Sequence, residues 1–228
     1  MHASRPPLGR QLRLDLEHAP PAGDASFIVS ASNIEAVRAL EDFPGGAGRT
    51  LALIGPKGTG KSHLAADWAE RVGALSLHGA EASLITLSEL EGRPVLLDRA
   101  FDADDEALFH LMNLAMAAGG ALLMVAREAP ALWTAELPDL RSRLNAVRAV
   151  AIRPPDDTVL AGLLRRAFQT RGIAPATDLV DYLVRRIDRS PEAATAVAAR
   201  LDDYSEGRPV TRALAVKMLE DVGKLFED

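Results

Sequence analysis

The segment GPKGTGKS, residues 55–62, has the residue types and the spacing that hold a phosphate chain. Glycine lets backbone N–H groups turn inward without a Cβ clash, and the positive end of a following helix attracts the same anion. In such a loop Lys61 reaches the β and γ phosphates, and the Ser62 hydroxyl ligates Mg²⁺. An apolar run precedes the loop and a helical pattern follows it, as the motif requires. We therefore expect ADP or ATP, with Mg²⁺, to be bound by Gly55, Pro56, Lys57, Gly58, Thr59, Gly60, Lys61, Ser62 and His63.

An acid at the end of a neighbouring strand would complete the metal site, because it can hold Mg²⁺ directly or through water. The apolar run PVLLD, 94–98, supplies Asp98, which we predict to share the metal with Ser62. The alternative is that Asp98 simply ends a buried strand on a polar residue. Enzymes that hydrolyse ATP usually carry a second acid beside the first, whereas this chain has Arg99. The chain is therefore expected to hold its nucleotide for a structural or conformational purpose.

The composition indicates a globular protein that does not bind nucleic acid by itself. The chain has 228 residues, 48% of them hydrophobic, which is enough to bury a core. Its formal net charge of −6 argues against a stand-alone nucleic-acid binder, and the lack of cysteine excludes disulfides and Cys-based sites. The N-terminus lacks the apolar core of a secretory signal, and the longest nearly apolar run, 114–126, is too short to span a bilayer. We expect a cytoplasmic protein without a membrane partner.

Alternating strand and helix patterns predict an α/β domain followed by a helical domain. Apolar runs predict strands at 50–54, 94–98, 121–126 and 147–152, and strands or sheet edges at 74–79 and 83–87. Amphipathic patterns predict helices at 30–43, with Ser32 as the N-cap, and at 63–73, 104–120 and 137–146. Beyond the Pro154-Pro155 pair four more helices are predicted, at 156–172, 178–188, 191–207 and 211–227. The predicted domains are a flexible tail (1–25), an α/β body with a parallel sheet (26–154) and a helical domain (155–228).

Four segments together resemble the AAA+ module of DnaA, the bacterial replication initiator: 55–65 (GPKGTGKSHLA), 104–115 (DDEALFHLMNLA), 137–144 (LPDLRSRL) and the helical C-terminal region. They resemble the Hda family of DnaA-related regulators more closely, over about residues 27–225. DnaA would continue into a DNA-binding domain, whereas this chain ends with the helices. The resemblance implies a P-loop AAA+ parallel sheet flanked by helices and followed by a small all-helical lid domain. It also implies an ADP-bound, clamp-loaded protein that stimulates hydrolysis of DnaA-bound ATP and prevents re-initiation.

The segment QLRLDL, 11–16, fits the short peptide by which Hda proteins bind the DNA polymerase sliding clamp (beta). An extended peptide places alternate side chains on one face, so Leu12, Leu14 and Leu16 can enter an apolar pocket. The amide of Gln11 would hydrogen-bond at the mouth of that pocket. The other interpretation is that the three leucines form one face of a strand on the protein's own sheet. With the resemblance added we favour clamp binding, with DNA reached only indirectly through the clamp.

The resemblance also assigns Arg143, in the RSR element of 141–143, as an arginine that projects toward nucleotide held by a neighbouring subunit. An arginine delivered in this way neutralises charge that develops on a transferred phosphoryl group. Arg141 is two residues away and is the alternative. Without the family, both would be interpreted as solvated helix arginines. The partners implied are DnaA and the clamp, with a homo-oligomer as a further possibility.

The chain departs from the family in the third lid helix, where an arginine near the helix start touches the phosphates of the chain's own nucleotide. Here the stretch is RSPEAAT, 189–195, with Ser190 as the expected N-cap, and the matching position falls on Ala193. Arg189, just before the helix, is a possible substitute. Two competing functions are a self-sufficient AAA+ ATPase such as a helicase loader, and a small-molecule P-loop kinase. Arg99 and Ala193 argue against the first, and the four-helix domain argues against the second.

Overall fold

The computed structural model describes residues 27–44 and 49–224. The segment 11–16, expected to bind the clamp, lies outside the described residues, as does the whole of the predicted 1–25 tail.

Five strands in the described part form one parallel sheet: β1 (Thr50–Ile54), β2 (Leu75–His78), β3 (Pro94–Asp98), β4 (Ala121–Ala126) and β5 (Arg148–Ala151). Their order across the sheet is β2-β3-β4-β1-β5. Because β4 lies in the centre, all six of its residues are buried, which explains its unbroken apolar sequence. The predicted parallel sheet is confirmed, with each of the four predicted strands in place.

The apolar run at 83–87 is not a strand. Two 3-10 turns, Gly79–Leu84 and Leu87–Glu89, occupy this part of the chain. The Leu84 side chain is 80% exposed, so the run does not form the buried face that its apolar residues predicted. The prediction of a strand or sheet edge at 83–87 is wrong, whereas the predicted edge at 74–79 is formed by β2.

Helices cover both faces of the sheet, and a second group follows it. The helices are α1 (Ile34–Asp42), α2 (Lys61–Val72), α3 (Asp105–Ala115), α4 (Pro138–Ala146), α5 (Asp157–Gln169), α6 (Thr177–Val184), α7 (Pro191–Ser205) and α8 (Arg212–Lys224). Successive residues of β4 point to opposite faces. Leu122 and Met124 pack in the core shared with α3 and α4, and Leu123 and Val125 pack in the core shared with α1 and α2. None of the helices in the described ranges is long and apolar enough to cross a membrane.

Helices α5 to α8 pack around a core of their own, which we call the lid. Leu160, Leu164 and Phe168 of α5 are fully buried in it, at the i, i+4, i+8 spacing of one helix face. Helix α7 begins as its sequence predicted: the Ser190 hydroxyl accepts a hydrogen bond from the N–H of Ala193 (3.1 Å), and Pro191 is the first helical residue. The start of α7 is therefore fixed firmly enough to aim the side chains of its first turn.

The start of α1 differs from the prediction, because Ser32 is not its N-cap. The helix begins at Ile34, and Asn33 precedes it without a side-chain capping bond. Ser32 instead shares a hydrogen bond between its hydroxyl and that of Ser30 (2.8 Å). The Asn33 amide accepts from the N–H of Ser30 (2.9 Å) and donates to the carbonyl of Ile28 (2.8 Å). The polar residues before α1 therefore shape the preceding segment rather than cap the helix.

Candidate nucleotide-binding site

The loop 55–60 connects β1 to α2 at the carboxyl edge of the sheet. A Cβ on Gly55 would collide with the carbonyl of Ile152, which follows β5, so only glycine fits at the start of the loop. Gly60 precedes the first residue of α2 with φ at 90°, in the left-handed region that favours glycine. The sequence thus bends the chain so that the loop opens onto the N-terminal end of α2, where backbone N–H groups and the helix dipole attract anions.

Lys61 lies inside the loop, 9% exposed, and its Nζ donates to the carbonyl of Pro56 at 2.6 Å. Burial lowers the pKa of Lys61 below the ordinary value of 10.5, the nearby Asp98 carboxylate opposes that shift, and the Arg127 guanidinium adds to it. The hydrogen-bond acceptor of the ammonium is thus a neutral carbonyl. A phosphate chain entering the loop would supply the charge that a backbone carbonyl does not.

Ser62 and Asp98 are brought together although 36 residues separate them. The Ser62 hydroxyl, in the first turn of α2, donates to the Asp98 carboxylate at the end of β3 over 3.2 Å. Oxygen ligands of this kind suit Mg²⁺, which keeps several waters and needs only one or two protein ligands beside the phosphates. The described residues contain no group of three or more His, Cys, Asp or Glu side chains that could hold a metal without such help. The pair fits a metal held largely by nucleotide and water.

Arg99, next to Asp98, is folded back on its own turn. Its backbone is left-handed (φ 51°), and its N–H donates to the Asp98 carboxylate at 2.8 Å. Its guanidinium pairs with Asp102 at 2.8 Å while remaining largely exposed. Asp104 is the N-cap of α3, accepting from the N–H of Ala107 at 2.8 Å. Asp102 and Asp104 are thus engaged within this segment, and Arg99 stands at the sequence position where a water-orienting carboxylate would be expected.

The lid touches the phosphate loop through an acid rather than through an arginine. An Oε of Glu192, in the first turn of α7, lies 2.6 Å from the place where a Cβ of Gly58 would be. Ala193, the position matched to the family's arginine, has no charge to offer. Arg189 is held elsewhere: it donates to the carbonyl of Pro155 (3.2 Å) and pairs with Asp157 (2.6 Å), both at the start of α5. Arg189 therefore joins two lid helices.

Sequence reasoning missed the segment 27–33 as part of the site. The Phe27 ring stacks on the His63 imidazole, with centroids 5.9 Å apart, and lies 3.1 Å from the place of a Cβ on Gly60. Ile28 lies so close to Gly162 of α5 that a Cβ there would collide with it. The segment thus runs between the phosphate loop and the lid. The available signal was the apolar triplet before α1, which helix capping alone does not explain.

Arg127 was also missed. It follows β4, the central strand, and is close enough to Lys61 for its charge to help lower the lysine's pKa. Its position beyond the end of a strand, rather than in a motif, gave no signal in the sequence. Arg127 therefore adds a second positive charge near Lys61, at the carboxyl edge of the sheet.

The arginine of α4 singled out from the family lies on an aromatic face. The Arg143 guanidinium stacks over the Phe109 ring of α3, 4.8 Å from its centroid, and the residue is partly buried. Arg141, the alternative, is exposed. The Asp105 carboxylate accepts a hydrogen bond from the N–H of Glu136 (2.6 Å), which ties α3 to the chain just before α4. Arg143 thus has a defined orientation on a braced helix.

Comparison with known proteins places this fold among the AAA+ modules. No family model matches the chain. The chromosomal replication initiator protein DnaA of Thermomicrobium roseum is 26% identical over 123 residues, which are 53% of this chain and 26% of that protein. The matched stretch thus spans about a quarter of its relative.

Solved structures cover more of the chain. Domain III of Thermotoga maritima DnaA superposes with a TM-score of 0.69 at 17% identity, over 86% of this chain and 94% of the domain. A Thermotoga maritima RuvB mutant gives 0.62 at 18% identity, over 83% of this chain and 68% of that one. A DNA replication initiation factor gives 0.67 at 17% identity, over 87% and 66%. The chain has the AAA+ fold of DnaA domain III, with weak sequence similarity to DnaA itself.

Proposed function

We propose that this chain is a DnaA-related regulator of the Hda type, a negative regulator of chromosome replication initiation. It binds a nucleotide, attaches to the DNA polymerase sliding clamp through residues 11–16, and stimulates hydrolysis of the ATP that DnaA holds. The observation that carries the proposal is that Asp98, which pairs with Ser62 of the loop, is followed by Arg99, whose guanidinium turns onto Asp102 where a hydrolytic enzyme needs an acid. A chain that holds nucleotide without this acid is suited to use it as a structural element.

The nucleotide, with ADP favoured over ATP, is held by the residues of the loop. Lys61 supplies a cation whose Nζ now donates to a neutral carbonyl, the N–H groups of the loop would face the phosphates, and Ser62 with Asp98 would supply the metal ligands. Bound Mg²⁺ would neutralise phosphate charge. Segment 27–33 and the lid lie on the same loop, so an occupied loop fixes the angle between body and lid.

Arg143 is assigned the role of an arginine that acts in trans on DnaA. Its stacking on Phe109 holds the guanidinium before the partner arrives, which lowers the entropy lost on docking. An arginine supplied by a partner is worth about 10³–10⁵ in the rate of phosphoryl transfer. An acceleration of this size would convert slow hydrolysis of DnaA-bound ATP into rapid hydrolysis, which inactivates the initiator.

Residues 11–16 are the proposed clamp-binding segment. Gln11 and the three leucines at 12, 14 and 16 would dock as an extended peptide, with main-chain bonds for affinity and alternate side chains for specificity. Attachment to a clamp that encircles DNA makes the encounter with DnaA effectively intramolecular. Contact with DNA is then indirect. The net charge of −6 agrees with indirect contact, because an acidic chain is poorly suited to bind DNA by itself.

The test is hydrolysis of labelled ATP bound beforehand to the cognate DnaA, with the full chain and with clamp loaded on DNA. We expect acceleration that is lost when residues 1–17 are removed and when Arg143→Ala is introduced. Arg141→Ala is the matched control and should retain the effect. If hydrolysis does not accelerate while the chain alone turns over ATP, and Lys61→Ala abolishes that turnover, the self-sufficient ATPase replaces this proposal.

A further inference from the structure

The carboxylate of Glu192 lies on the phosphate loop, where an anion is unexpected. One of its oxygens is 2.6 Å from the place of a Cβ on Gly58, so it packs directly against the backbone of that glycine. The same loop draws phosphate by its N–H groups and by the ammonium of Lys61. A negative side chain at this position therefore competes with, or repels, the ligand for which the loop is built.

The backbone of Glu192 is positioned by the start of α7. Glu192 is the second residue of α7, whose start is set by the Ser190 hydroxyl and by Pro191. The residue before the cap, Arg189, is tied to Asp157 and to the carbonyl of Pro155, so the entry into α7 is held from two sides. The only charge that the first turn of α7 offers to the loop is thus negative.

We propose that Glu192 determines specificity at the phosphate loop, favouring a nucleoside diphosphate over the triphosphate. The proposal rests on nucleotide binding by the loop, as proposed above. Residues 55–60 form a tight turn. The Glu192 carboxylate, which lies against Gly58, is therefore within about 10 Å of any phosphate the loop holds, and this distance is close to the screening length in physiological salt. The triphosphate brings one more phosphate, and hence more negative charge, to the same place. The lid closes over the shorter chain with less repulsion.

The expected size of the effect follows from Coulomb's law. An additional unit charge about 8 Å from the carboxylate, in a medium of effective dielectric constant about 30, changes an affinity by about tenfold. Lys61 and Arg127 attract both nucleotides and set the overall affinity, whereas Glu192 acts on the difference between them. The quantity to measure is therefore the ratio of two dissociation constants rather than either one alone.

The experiment measures equilibrium binding of fluorescent ADP and ATP analogues, each with Mg²⁺, to the full chain and to Glu192→Gln. Neutralising the carboxylate should tighten triphosphate binding about tenfold more than diphosphate binding. Glu192→Arg should shift the ratio further in the same direction. Glu220→Gln, the same change at an exposed site on α8, serves as the control and should leave the ratio unchanged.

The outcomes separate this inference from the function on which it rests. If Glu192→Gln changes both affinities by the same factor, Glu192 acts only as a contact between lid and loop, and the specificity role is wrong while nucleotide binding stands. If wild type binds the triphosphate as tightly as the diphosphate, the role is also wrong. If neither nucleotide binds and Lys61→Ala changes nothing, the nucleotide-binding function itself falls, and this inference with it.

Discussion

Replacing Phe109 by leucine isolates the contact that orients Arg143. The guanidinium lies 4.8 Å from the ring centroid, within the range where the electron-rich face of an aromatic ring attracts a cation. Leucine keeps most of the apolar volume that packs on α3 but has no such face. The substitution leaves Arg143 in place and removes what holds it still.

The structure sets the size of the expected effect. Arg143 is only partly buried, so its interaction with the ring is worth about 1 kcal/mol, between the exposed and the desolvated cases. A loss of about 1 kcal/mol lowers the ratio of stacked to unstacked orientations about fivefold. Stimulated hydrolysis of DnaA-bound ATP should fall by no more than about fivefold, far less than the loss expected for Arg143→Ala.

The assay is the clamp-dependent hydrolysis described above, with Phe109→Leu, Arg143→Ala and the double variant. If the ring acts through the arginine, the double variant is no slower than Arg143→Ala alone. Tyr182→Leu removes a similar stacking contact, with Arg186 in the lid, and should leave stimulation intact. Full stimulation by Phe109→Leu, or an additive loss in the double variant, would refute the idea that the ring orients Arg143.

Three further changes test the nucleotide cradle. Gly55→Ala should destabilise the protein by about 2 kcal/mol, seen as a lower Tm, because the new Cβ meets the carbonyl of Ile152 in a backbone conformation that L residues rarely adopt; an unchanged Tm would contradict this. Asp98→Asn should remove most of the Mg²⁺ dependence of nucleotide affinity measured by titration, with Ser62 left as the remaining ligand, and a retained dependence would place the metal elsewhere. Nucleotide affinity should fall as pH rises through the pKa of Lys61, because the neutral amine no longer attracts phosphate. Since that pKa is lowered, the fall should begin below pH 10.5. Lys61→Arg should move this loss to higher pH.

The same pKa has a consequence for stability, with the opposite sign. A lysine whose pKa is lower in the folded than in the unfolded state binds fewer protons when folded. The contribution of Lys61 to the free energy of unfolding therefore increases as pH rises from the folded-state pKa toward the unfolded-state pKa. Chemical denaturation of the nucleotide-free chain across this window, compared with Lys61→Met, measures the contribution. A contribution that shrinks as pH rises would show that burial does not dominate at Lys61.

The elements that sequence predicted well are those whose signal is local. The run 121–126 is apolar throughout because β4 is central, and the loop 55–62 carries its own glycines. Ser190 and Pro191 announce the start of α7, since a cap needs only the residues next to it. Period and capping are properties of neighbours in the chain, and a single sequence contains them in full.

The failures concern partners that are distant in the chain. Serine is a common N-cap residue, but the hydroxyl of Ser32 is hydrogen-bonded to the hydroxyl of Ser30 instead. The run at 83–87 is apolar, but it forms 3-10 turns and adds no strand beside β2. In the described sheet β2 remains the outermost strand and pairs only with β3. Arg189 was considered for the phosphates, but Asp157 holds it. The contact of Glu192 with Gly58 joins residues 134 positions apart, and no local pattern encodes such a pair.

Segment 27–33 would link the proposed clamp peptide to the phosphate loop and the lid. Leu16, the last residue of the proposed clamp peptide, precedes Phe27 by eleven peptide units, so the two Cα atoms can be no more than about 40 Å apart. Phe27 is the first described residue and stacks on His63, while Ile28 abuts α5. If residues 11–16 bind the clamp as proposed, the chain that follows them would join the described structure at Phe27, beside the phosphate loop and the lid. Clamp binding and occupancy of the phosphate loop would then both bear on segment 27–33.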